Sequence, residues 1–174
     1  LLVIETGSCT LHEIYNAYIV NGGTSWNTDG GQFRFPLTSN ALRPDGWTSA
    51  DAAGLAILPG LVRYDEVYGA SEITHALRVT VEESQRGYVD PARHFASSSN
   101  DRSLPPMGLR LRLKAGYGLS GFSGQALAIM KAMKKYGLIV ADNGSDWFIS
   151  GTPDRRWDDD DLDQLKKVPG GAFE

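Results

Sequence analysis

This chain is short of the residues that most often announce chemistry. It has one cysteine, Cys9, and three histidines in 174 residues. There is no cysteine pair and no H-E-x-x-H to place two histidines on one helix face, so zinc would have to come from the widely spaced His12, His75 and His94 with a carboxylate. No metal site and no cofactor are expected on that basis. G-x-S-x-G, the turn that exposes a nucleophilic serine, is absent as well. Basic excess is missing: the net charge is −4, which argues against general nucleic-acid or anionic-membrane binding. No apolar run approaches the roughly 18 residues of a membrane-spanning helix. Internal repeats and linkers are missing too, which points to a single domain over residues 1–174.

What the chain has instead is punctuation. It carries 20 glycines, and Asn, Asp and Gly cluster between short apolar stretches. Leu1-Leu2-Val3-Ile4-Glu5 reads as the middle of a strand, with no initiator methionine and no signal peptide ahead of it. The expectation is the C-terminal part of a longer protein, with an upstream segment of the same precursor, or another chain, completing the sheet. Thr6-Gly7-Ser8 turns the chain into a second strand over residues 11–20, where His12 and Glu13 fall on opposite faces. Residues 32–37 make a short strand, and Thr48 or Ser49 caps a helical turn closed by Gly54.

Residues 73–81 alternate, with Ile73, His75, Leu77, Val79 and Val81 on one face. Residues 109–114 alternate too, setting Leu109, Leu111 and Leu113 against Arg110, Arg112 and Lys114. One helix is expected after Ser123, ending at Gly137, with Ala126, Leu127, Met130 and Met133 or Ala132 supplying its apolar stripe. Asn143-Gly144 between apolar segments is a hairpin signal joining residues 138–142 to 145–150. The acidic run at residues 158–161 opens a short C-terminal helix. The expected fold is mainly β, an antiparallel β-sandwich or jelly-roll-like arrangement with one packed helix and one short C-terminal helix; a mixed α+β sheet is the alternative.

Candidate chemistry rests on a few side chains. His75 and His94 are the candidate acid/base groups, with Asp142 and Asp146 as carboxylates, because glycoside hydrolysis needs two acids flanking a bond. Arg63, Glu66, Arg112 and Trp147 are candidates to bind a substrate, and Trp26, Trp47, Trp147 and Trp157, with Tyr64, Tyr68 and Tyr88, are candidates to stack on sugar rings. Each has a plainer reading. His75 among Ile73, Leu77 and Val79 reads as a hydrogen-bonded core residue. His94 reads as a loop residue, and the two aspartates as flanks of a turn. The Arg110, Arg112 and Lys114 stripe reads as a solvated face or the partner of nearby carboxylates. Cys9 is a small packed residue in a reduced protein, or half of a bond to a partner elsewhere in an exported one.

Several segments are similar to a family of uncharacterised, largely bacterial secreted proteins: SNALRPDGWTSADAAGLAILPGLVRYDEV, EITHALRVTV, PARHFASSS, LPPMGLRLRLK and KKYGLIVADNGSDWFISGTPDRRWDDDDL. They run in the same order over about residues 38–174. The resemblance implies an extracellular, secreted setting and a longer N-terminus. It implies no activity and transfers no catalytic residue.

Two functions are therefore expected. The first is an extracellular carbohydrate-active protein, a glycan hydrolase or lyase. The second is a non-catalytic glycan-binding or structural module of an extracellular or cell-surface assembly. A polysaccharide or glycan is the expected ligand in both, with no nucleic acid and no membrane span. A metal-dependent enzyme is a weaker third.

Overall fold

The computed structural model describes residues 1–69 and 72–174; Ala70 and Ser71 lie outside the described residues. The chain forms small sheets with few helices. The first five strands are β1 (Leu2–Glu5), β2 (Thr10–Ile14), β3 (Ala17–Val20), β4 (Ser25–Thr28) and β5 (Gln32–Pro36). Strands β1, β2 and β5 pair antiparallel in the order β1-β2-β5, and β3 and β4 form a separate hairpin. The expected second strand is thus two, broken at Asn16, which takes a left-handed φ of 43°. The expected alternation holds in β2. Leu11 and Glu13 are fully buried, while His12 faces outward to Gln32, 2.6 Å from its Nδ1.

A second, mixed sheet holds the core. It is built from β6 (Leu77–Val81), β7 (Arg110–Leu111) and β8 (Leu138–Asn143) in the order β6-β8-β7. Strand β8 runs parallel to β6 and antiparallel to β7. Leu77 and Val79 of β6, Leu138 and Val140 of β8, and Ile129, Met130 and Met133 of the long helix close on Met107 and Leu113. Each such side chain contributes about 1.5–3 kcal/mol when taken fully out of water.

The helices are α1 (Tyr64–Val67), α2 (Gly124–Lys135) and α3 (Asp159–Leu162). Helix α2 buries Ala126, Ile129, Met130 and Met133, the spacing of one helical face. Its start is organised from a distance. The Ser123 side chain makes no capping bond; the Asp161 carboxylate accepts from the Ala126 N–H at 3.0 Å instead. Gly124 sits at φ 52°, and a Cβ there would lie 2.6 Å from that carboxylate, so a side chain is excluded twice over. Gly137 ends the helix at φ 79°, as expected, with a Cβ position only 2.5 Å from the Leu111 carbonyl.

Asn143-Gly144 does not close a hairpin. Both edges of β8 are already occupied by β6 and β7, so residues 145–150 cross to the far side of β6. There Ile149 bridges Val79, and the Thr80 N–H donates to the Phe148 carbonyl at 3.0 Å. The single turn expected before Gly54 is present: the Ser49 hydroxyl accepts from the Asp51 N–H at 3.0 Å, and Gly54, at φ 73°, donates its N–H to the Asp51 carbonyl at 3.1 Å. The jelly-roll arrangement is not confirmed, since the sheets have at most three strands and the central one is mixed.

Candidate functional site

Crossing β6 brings residues 146–151 into the lining of a cleft of about 1060 Å³. Asp146 Oδ1 accepts from the Glu82 N–H at 2.7 Å, and the Thr80 hydroxyl donates to the Ser145 carbonyl at 2.7 Å. These bonds turn the chain so sharply that Trp147 takes φ 58°, a conformation costly for a bulky residue. Its indole then lies 5.0 Å from the Phe173 ring, centroid to centroid. Phe148 follows, 62% exposed, on the same wall. Trp157, also in the lining, donates its indole N–H to the Thr152 carbonyl at 2.8 Å and packs edge-on to Tyr64. Leu162, Leu165 and Val168 extend the apolar lining, and Asp146, Asp159, Asp163 and Lys166 supply the charge. The cleft therefore offers four aromatic rings with carboxylates beside them, in a volume at the upper end of small-molecule sites.

A second, smaller cleft of about 460 Å³ lies between the N-terminal and central sheets. Leu11 and Phe35 line it from one side; Leu77, Arg78 and Ile139 from the other. Arg78 grips Asp51 with Nε at 3.1 Å and Nη2 at 2.8 Å, and its Nη1 reaches the Ser150 hydroxyl at 2.5 Å. Asp142 approaches the same guanidinium at 3.8 Å. Asp51 is 1% exposed. Burial pushes its carboxyl up to about 7 against the pull of Arg78, and the nearby Asp142 adds to the rise. Burial also works against the Arg78 cation, but the bonds and charge of Asp51 outweigh it and hold the guanidinium above its ordinary value. Glu13 lies close enough for Arg78 to act on its charge. Its Oε1 accepts the Ile57 and Leu58 N–H groups at 2.7 and 3.0 Å, while Oε2 is buried without a partner; burial raises this carboxyl too.

The side chains singled out from sequence are dispersed over these features. His75 lines the smaller cleft. Its Nδ1 lies 2.9 Å from the Ala76 carbonyl and its Nε2 is 3.2 Å from Glu66. Glu66 accepts the Arg63 N–H at 2.9 Å and pairs with the Arg63 guanidinium, so Arg63, Glu66 and His75 form one chain of bonds closing the start of α1. His94 faces the Ala52 carbonyl at 3.1 Å and stacks on Phe95. Asp142 stands beside Arg78, and Asp146 and Trp147 belong to the larger cleft. Arg112 pairs with Glu174. The four candidate acid/base groups do not share either cleft. Among the described residues no cluster of three or more His, Cys, Asp or Glu is arranged to hold a metal.

The sequence offers Trp157 beside Trp147 as a stacking ring, but gives no functional signal for Asp51, Arg78 or Glu13, nor for Phe148 and Phe173. A signal of burial was available: Asp51 is a lone carboxylate among Ala50, Ala52, Ala53 and Gly54, surroundings that tend toward burial. No family model, no curated protein and no solved structure matches this chain. No helix among the described residues is long and apolar enough to cross a membrane.

Proposed function

We propose that this protein is an extracellular glycan-binding module whose ligand lies in the aromatic cleft. The observation that carries the reading is the wall formed by Trp147, Phe148 and Phe173, with Trp147 held in a left-handed conformation that turns its ring onto Phe173. Flat apolar rings beside carboxylates suit a sugar, whose faces are apolar and whose edges donate hydrogen bonds. The hydrolase or lyase reading has less support, because His75, His94, Asp142 and Asp146 are not gathered around one cleft. With the proposal goes a sandwich-like relation of the two three-stranded sheets, supported by the cleft whose walls they share. Affinity electrophoresis in gels containing neutral or acidic polysaccharides tests it. Retardation by at least one polysaccharide is expected, with roughly tenfold weaker binding for Trp147→Ala. Failure of every polysaccharide to retard the protein rejects the reading, and release of new reducing ends would favour the hydrolase instead.

A further inference from the structure

Beside the Asp51-paired Arg78, two further cations line the smaller cleft without an anionic partner among the described residues. Arg43 is wedged among aromatic rings, its guanidinium carbon 5.2 Å from the centre of Phe33, 5.8 Å from Phe35 and 5.4 Å from Trp47. Its Nε is buried with no hydrogen-bond partner among the described residues, and burial lowers its pKa. A buried donor left unpaired is unfavourable. Arg110, on β7, projects into the same cleft from the opposite sheet, and no carboxylate among the described residues pairs with it. The carboxylate on that wall, Asp51, is bonded at both oxygens by Arg78 and pairs with neither of them. Leu11, Phe35, Leu55, Leu77 and Ile139 give the cleft an apolar stretch, beside the polar His75 and Arg78.

From this we infer that the cleft between the sheets is a binding site for a small amphipathic carboxylate, its head between Arg43 and Arg110 and its apolar body on the Leu11 and Ile139 side. A guanidinium presents a fork of donors matched to a carboxylate, and Arg43 is already oriented by its three rings, so little freedom is lost on binding. A volume of about 460 Å³ suits a molecule of this size. A single negative charge fits better than two, since Asp51 lies on the same wall and a dianion would meet it. This site is separate from the aromatic cleft and does not depend on the glycan reading.

Isothermal titration of the whole chain with sodium decanoate, below its micelle concentration, is the direct test. One equivalent is expected to bind. Decanol, which lacks the charge, and inorganic phosphate, which lacks the body, are expected to bind at least tenfold more weakly. Arg110→Gln, an exposed position, is expected to weaken decanoate roughly tenfold, the loss of one charge-assisted bond. Arg43→Gln should do the same, with circular dichroism checking that the variant is folded. Trp147→Ala is expected to leave decanoate binding unchanged. The inference is overturned if decanoate does not bind, if Arg110→Gln binds it as tightly as the parent, or if Trp147→Ala abolishes binding and so places it in the aromatic cleft.

Discussion

The N-terminal strands and the central sheet are built from similar residues and treat them oppositely. In the central sheet Leu77, Val79, Leu138 and Val140 are essentially shielded from water. In the N-terminal part Val3, Ile4, Tyr18, Ile19 and Trp26 keep between 41% and 58% of their surface exposed. The difference lies in what covers them. Helix α2 lies across the central strands, whereas β1 pairs with β2 alone and the β3–β4 hairpin pairs with nothing else among the described residues. One buried carboxylate, Glu13, joins the N-terminal sheet to the turn at Ile57 and Leu58. Apolar content alone therefore does not make a core; a second layer does.

The largest contrast is expected from truncation. Leu77→Ala should lower unfolding stability by about 3 kcal/mol, through lost transfer energy and the cavity left behind. Ile19→Ala should change it by less than about 0.5 kcal/mol, as exposed positions usually do. Urea unfolding of the two variants measures this, and equal losses would show that the hairpin is packed as tightly as the core.

The next contrast is one of pH. Asp51 lies in the central part with its carboxyl raised to about 7. An acid held above its unfolded value favours the fold in its protonated form. The stability it contributes is complete below about pH 4 and is lost as pH rises through about 7, at up to about 1.4 kcal/mol per pH unit. Glu13 is shifted in the same direction and adds to the slope. Midpoints of urea unfolding between pH 4 and 8 should therefore fall with pH in the parent and fall less in Asp51→Asn. A variant curve as steep as the parent would remove Asp51 from the account.

The smallest effect isolates the joint between the regions. Glu13→Ala removes the acceptor for two backbone N–H groups, a loss of about 1–2 kcal/mol. Amide hydrogen exchange should show it as faster exchange in β1, β2 and β5 with β6 and β8 unaltered. Uniform acceleration across the molecule would mean that the two regions unfold as one.

Much of the local structure was legible because its causes are local. The Ala126, Met130 and Met133 spacing and Gly137 mark α2, and β2 alternates as its residues require. The acidic run does open α3, with Asp158 Oδ1 accepting from the Asp161 N–H at 3.2 Å. The hairpin at Asn143-Gly144 was misread for a non-local reason: turn chemistry permits a hairpin, but whether an edge of β8 is free depends on β6 and β7. The sites were less legible still. Trp147 could be chosen as an exposed aromatic, yet its partner Phe173 is 26 positions away in the 174-residue chain. Asp51 meets Arg78 across 27 positions, and Arg78 meets Ser150 across 72.

By itself, then, the sequence determined the alternation of β2, with Glu13 and His12 on opposite faces, the course of α2 up to Gly137, and the opening of α3 at the acidic run. These follow from backbone geometry and side-chain period, which act over a few residues. Tertiary structure alone decided that β8 lies parallel to β6, that Asp51 is buried against Arg78, that four aromatic rings line one cleft, and that Arg43 and Arg110 face another without a counter-ion. Those outcomes depend on which surfaces exclude water together, and desolvation is a property of the packed whole rather than of any segment.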